Sequence, residues 1–138
     1  MDLARMSRKE VGALGEAIAA EYLRRRGFAI IDRNVARKTG ELDLIAREGD
    51  LLHMVEVKTV LADEFPASAE ATAGRPGELD DYDPSMNLHP WKLQKVARTA
   101  EWYCLENHWE GEWQVDGCLV WLRRRDGKAL VKYLPQIV

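Results

Sequence analysis

Apolar and polar residues change their period several times along this chain, and each period predicts an element. From Val11, apolar side chains recur at Leu14, Ile18 and Tyr22, the spacing of one helical face. Ser7-Arg8-Lys9-Glu10 ahead of them matches a capping box and Gly27 offers a stop, so a helix is predicted from about Arg8 to Arg26. Phe28–Asp32 is short and β-prone, a first strand ended by Arg33-Asn34, and Arg37–Gly40 reads as a basic turn. Two apolar-rich runs, Glu41–Arg47 and Leu51–Thr59, flank Glu48-Gly49-Asp50 and predict a hairpin. Leu61–Pro90 carries Pro66, Pro76, Pro84 and Pro90 with Gly74 and Gly77, and reads as a long functional or disordered connection. Pro90 suits a first helical turn. After it, Leu93, Val96, Ala100, Tyr103 and Cys104 or Leu105 trace one helical face, with Lys92, Lys95 and Arg98 on the other side. Gln114–Leu122 and Ala129–Leu134, joined through Asp126-Gly127, complete the pattern as two strands. The order α-β-β-β-α-β-β predicts an α/β (α+β) fold, a central mixed sheet flanked by helices.

The first hairpin carries a chemical expectation. A two-residue loop at Gly49-Asp50 pairs Glu48 with Leu51, Asp43 with Glu56 and Glu41 with Lys58. Shifting that loop to Glu48-Gly49 leaves the two acids diagonal on one face, whereas a three-residue loop separates them unless a bulge intervenes. Like charges directly opposite each other destabilise a plain sheet. A compensating cation, or a proton on one carboxyl, is therefore expected. Lys58 lies two residues along from Glu56 on the same face. Two carboxylates, a lysine and room for a hard divalent ion suit a phosphodiester site. A plainly solvated charged face accounts equally well for the geometry.

Composition adjusts this picture in three places. The 138 residues suffice for one domain with a real core, and no apolar run approaches a membrane span or a secretory signal. Cys104 and Cys118 lie on different predicted elements and form no C-x-x-C unit, so buried free thiols in a reducing, cytoplasmic setting are expected. The net charge of −3 hides an asymmetry: Leu61–Leu88 carries seven acids against Arg75 alone, net −6, and the rest of the chain is +3. The body is mildly basic, with its acidity gathered in one stretch at about 61–89. Arg37 and Lys38 before the hairpin, and Lys92, Lys95 and Arg98 on the second helix, are candidate phosphate contacts as well as solvated surface. Five tryptophans are many for this length; packing is the expectation for most, base stacking the alternative. His53, His89 and His108 show no metal-ligand spacing, and Glu16 lies off its helix's apolar stripe.

Read together, the motifs resemble a known family. G-x-x-G-E (Gly12 to Glu16), Arg33-Asn34, G-E-L-D-L-I (Gly40–Ile45), V-E-V-K-T (Val55–Thr59) and K-x-x-K-V-x-R-x-A-x-x-Y (Lys92–Tyr103) resemble the YraN-like family of uncharacterised bacterial proteins (UPF0102). That family is placed in the PD-(D/E)xK nuclease superfamily and is similar to archaeal Holliday-junction resolvases. The resemblance implies a restriction-endonuclease-like core over residues 1–138. It implies that Asp43 and Glu56 hold Mg²⁺ or Mn²⁺, that Lys58 follows as the catalytic lysine, and that Glu16 joins the site; waters and the Val57 carbonyl would complete the octahedron of such an ion. Glu41 matches the G-E-x-D motif in an accessory or structural role. The chain departs from the family in three respects. Thr59-Val60-Leu61 stands where relatives carry an arginine, Gln114-Val115-Asp116 stands for R-F-D, and the acidic loop is longer.

The expectation is a Mg²⁺-dependent endonuclease acting on DNA, with branched or single-stranded DNA as the candidate forms. A homodimer is admitted, and no membrane is involved. The alternative is a non-catalytic nucleic-acid-binding or assembly module on a nuclease scaffold. A third reading makes the acidic face a protein-interaction surface.

Overall fold

Residues 2–66 and 90–137 are described by a computed structural model. After a short 3-10 turn at Leu3–Arg5 come α1 (Arg8–Arg25), β1 (Ala29–Arg37), β2 (Gly40–Glu48), β3 (Leu51–Ala62), α2 (Pro90–Glu106), β4 (Glu112–Arg123) and β5 (Ala129–Leu134). The acidic stretch anticipated over about 61–89 lies outside the described residues from position 67 onward, as does His89. Its first two acids are described: Asp63 pairs with Arg124 and Glu64 with Arg125. Among the described residues no helix is long and apolar enough to cross a membrane.

The five strands form one mixed sheet in the order β1-β2-β3-β4-β5. Neighbours are antiparallel except β3 and β4, which run parallel from Leu51↔Glu112 to Ala62↔Arg123. Alternation divides the apolar residues between the two faces. Leu44, Ala46, Val55, Cys118, Val120 and Leu122 pack with Val11, Ala19, Ala20 and Leu23 of α1. Leu42, Ile45, Leu52, Met54 and Val115 pack with Val96, Ala100, Tyr103 and Cys104 of α2. The choice between Cys104 and Leu105 falls to Cys104, since Leu105 is 68% exposed. Both cysteines are buried free thiols, and burial pushes Cys118 up to about 12.

Helix α1 begins at the expected capping box, with Ser7 Oγ accepting from the Glu10 amide and the Glu10 carboxylate from the Ser7 amide. Gly27, at φ +93°, turns the chain out of it. Strand β1 does not stop at Arg33-Asn34 as predicted. Asn34 takes a left-handed conformation at φ 50°, which asparagine tolerates, and the strand continues to Arg37 because β2 offers partners as far as Gly40. A bulge between Ile30 and Asp32 absorbs one extra residue.

Gly15 shows why a motif glycine is required. A Cβ there would lie 1.8 Å from Thr59 Oγ1 and 2.8 Å from both Thr59 Cβ and Cγ2. The glycine of G-x-x-G-E thus lets α1 lie against the threonine of V-E-V-K-T. Gly15→Ala is expected to cost about 2–3 kcal/mol in urea unfolding. In a Thr59→Gly background the same substitution should cost much less. Additive losses in that double-mutant cycle would mean the two positions do not touch.

Candidate functional site

The β2–β3 register follows the expected pairing for five pairs, from Glu48↔Leu51 to Leu44↔Val55, and there the ladder ends. The anticipated direct pairs Asp43–Glu56 and Glu41–Lys58 are not part of it. Instead the Val57 amide donates to Asp43 Oδ2 at 2.9 Å, so a side chain replaces the main-chain partner. The physical reason lies in the residues. Two carboxylates held directly opposite repel, and the pleat of β2 slips at this point. Leu42 and Ile45 share the α2 side although they are three residues apart, while Leu44 faces α1. Asn34, between the β1 residues that pair with Leu44 and Leu42, adds its left-handed kink at the same level. The strands part where the acids stand.

The opening is electrostatically loaded. Glu56 is 7% exposed, and its carboxyl is pushed up to about 8, first by burial and then by the Asp43 charge, against the pull of Lys92. Asp43 is raised, first by burial and also by Glu41, with the Val57 amide and Lys92 acting the other way. Glu16 of α1 is raised by burial and by the charges of Asp43 and Glu41, although Asn34 donates to it. Glu56 Oε1 is buried and has no hydrogen-bond partner among the described residues. A buried acceptor in that condition is costly unless something cationic or protic meets it. No three His, Cys, Asp or Glu side chains form a ready cage among the described residues. The donor set here is smaller: one buried, unpartnered oxygen beside a second carboxylate. That set suits a hard ion of the Mg²⁺ type, which uses one or two carboxylates and keeps most of its water.

The remaining candidates fall into three groups. Lys58 is exposed and lines, with Glu16, Val57 and Arg8, a cleft of about 430 Å³ against α1. Lys92, in the first turn of α2, is the cation acting on both Asp43 and Glu56. Arg37 is paired with Glu106, its Nη2 2.6 Å from Oε2, while Lys38 is exposed in the β1–β2 turn. Lys95 and Arg98 lie on the outer face of α2.

The profile of the uncharacterised protein family UPF0102 matches residues 15–120, which include Glu16, Asp43, Glu56 and Lys58. The chain belongs to the UPF0102 family. It is 35% identical over 128 residues to a UPF0102 protein of Syntrophotalea carbinolica, covering 93% of this chain and 90% of that one. A UPF0102 protein of Campylobacter jejuni subsp. jejuni serotype O:23/36 is 34% identical over 105 residues, 76% of this chain and 78% of its own. One from Clostridium tetani is 35% identical over 98 residues, 71% and 67% of the two chains.

This UPF0102 chain also has a buried polar hub that the motif pattern does not reveal. Asp116 of β4 is fully buried and accepts from His53 Nδ1 at 2.5 Å, Gln114 Nε2 at 2.8 Å, the Gln136 amide at 2.7 Å and the Tyr133 hydroxyl. Burial pushes its carboxyl up, but these four donors outweigh it and hold it below the usual carboxylate range. A lone acid inside the apolar run Val115–Leu122 was the available signal, since a buried charge needs partners.

Proposed function

We propose that this chain is a divalent-metal-dependent endonuclease of the PD-(D/E)xK type that hydrolyses phosphodiester bonds in DNA. The observation that carries the reading is the buried, unpartnered Glu56 oxygen beside Asp43, in an opening where burial raises both acids and the Asp43 charge raises Glu56 further. A structural carboxylate is normally satisfied, as Asp116 is; one left unsatisfied among like charges is organised for a cation. Asp43 and Glu56 would hold Mg²⁺ or Mn²⁺, with the Val57 carbonyl as the expected third donor. The ion supplies Lewis-acid polarisation of a phosphoryl oxygen and acidification of a water molecule. Glu16, drawn toward the same opening and raised in pKa, would accept a proton or orient the attacking water. Lys58, exposed on the Glu16 cleft, would meet the scissile phosphate, while Lys92 tempers the charge of the carboxylates from the α2 side.

A panel of branched, single-stranded and duplex DNA, incubated with Mg²⁺ or Mn²⁺, tests this. Metal-dependent scission by the wild type, lost in Lys58→Ala with metal affinity retained, is the expected outcome. One observation favours a second reading, a binding module without catalysis: Lys92, not Lys58, is the cation acting on the two carboxylates. That reading predicts salt-dependent DNA binding and no scission with either metal.

A further inference from the structure

Three of the five tryptophans pack, as expected for most of them, and two do not. Trp121 is buried, and Trp109 and Trp113 rest against the α2-side core, but Trp91 and Trp102 are each 53% exposed. Both lie on α2, and they are not scattered. Trp91, Lys95, Arg98, Trp102 and Leu105 follow one another at spacings of four, three, four and three residues. At 100° per residue they fall within an arc of about 80°, opposite the face that carries Val96, Ala100 and Tyr103 into the core. No acid lies in the stripe. Glu101 and Glu106 flank it, and Glu106 is engaged with Arg37. Two indoles about 16 Å apart along the helix therefore bracket two cations.

We infer that this outer face of α2 is a track for single-stranded DNA, its bases stacked on Trp91 and Trp102 and its phosphates held by Lys95 and Arg98. The inference rests on the nuclease reading and names the form of DNA delivered to it. Charge complementarity selects the occupant. A polyanion satisfies Lys95 and Arg98, whereas a second copy docked antiparallel across a twofold axis would set Arg98 against its own counterpart at the midpoint of the stripe. Exposed indoles suit unpaired bases, whose faces a duplex hides. The Lys95 ammonium lies 4.5 Å from the centroid of the Trp91 ring. An arriving base takes that ring face, and the flexible lysine swings to the neighbouring phosphate, so one cation–π contact is exchanged for stacking plus an ion pair. The track leads to the carboxylates. Lys92 in the first turn of α2 acts on Asp43 and Glu56, and the Lys95 backbone and Cβ approach Gly40 at the start of β2.

The test is fluorescence anisotropy with a labelled oligo-dT of about twelve nucleotides, without divalent metal, using the full chain. Trp91→Ala/Trp102→Ala is expected to raise Kd at least about tenfold, and Trp91→Phe/Trp102→Phe to stay within about twofold of wild type. Circular dichroism of each variant confirms that it is folded. Lys95→Gln/Arg98→Gln should lower the slope of log K against log salt by about 1–2. Unchanged affinity in the alanine pair, equal affinity for duplex, or tighter binding of oligo-U than of oligo-dT overturns the track. So does a dimer that the alanine pair dissociates while leaving oligo-dT affinity untouched. The two readings fail separately. A wild type that cuts duplex DNA while the alanine pair binds oligo-dT normally keeps the nuclease and loses the track. Ring-dependent binding of oligo-dT without scission keeps the track and loses the nuclease.

Discussion

Glu56→Gln is expected to abolish metal-dependent cleavage and, in the same protein, to make the metal-free fold more resistant to unfolding at pH 8. Both effects come from one carboxyl group. In the folded chain Glu56 is pushed up from 4.5 to about 8, by burial and then by Asp43. Between those values the native state holds a proton that the unfolded chain has released. The stabilisation from that proton is complete below about pH 4.5 and is lost as pH rises through about 8. At about 1.4 kcal/mol per pH unit the loss reaches a few kcal/mol by pH 8. Glutamine has the shape of the protonated acid and no charge, so the variant should lose this pH dependence. Mg²⁺ should raise the thermal midpoint of the wild type at pH 8 and leave that of Glu56→Gln unchanged, because only the ionised acid gains from the ion. Removing the charge also removes the electrostatic support of the reaction, for which a fall in kcat/KM of about 10³-fold is expected. Cleavage at the wild-type rate, or a lower midpoint at pH 8, would separate Glu56 from the role assigned to it.

Asp116→Ala should have the opposite character: a large loss of stability with no direct part in chemistry. The Asp116 carboxylate joins β3 through His53, β5 through Tyr133 and the C-terminal segment through the Gln136 amide, all from the middle of β4. Truncating it strands four donors around a fully buried position. His53 Nε2 already lacks a hydrogen bond among the described residues, so the cluster has little spare capacity to rearrange. A cost of about 3–5 kcal/mol is expected, a large share of a domain's usual 5–15. Tyr133→Phe, which removes one donor and leaves the acid, should cost about 1–2 kcal/mol. Urea midpoints compare the three proteins, and a shift under about 0.5 kcal/mol for Asp116→Ala would contradict the hub. The two acids also bound the pH range from opposite sides. The Asp116 contribution is present above the unfolded value of 3.8 and fades as pH falls below it, whereas that of Glu56 fades as pH rises toward 8. As far as these two acids decide it, the metal-free protein should be most stable above 3.8 and below 4.5, where both contributions are whole, and should weaken from there toward pH 8.

The sequence by itself determined the element order, the first helix with its capping box and glycine stop, and the hairpin register from Glu48↔Leu51 to Leu44↔Val55. These are local matters of period, turn chemistry and which face is apolar, and neighbouring residues carry enough information to settle them. Its motifs also marked the family and the acids of the candidate site. It misjudged the end of β1, because Asn34 looks like a stop when its partner strand is out of view. It paired Asp43 with Glu56 on a continuous ladder. Only the tertiary structure showed the ladder ending first, with Asp43 turned onto the Val57 amide. Which cation acts on the acids, which indoles stay outside and why Asp116 is tolerated inside were likewise decided in three dimensions. Each depends on groups brought together from different elements, such as Glu56 with Lys92 or His53 with Asp116. Periodicity assigns a side chain to a face, but the field and partners it meets there are set by the elements packed against it.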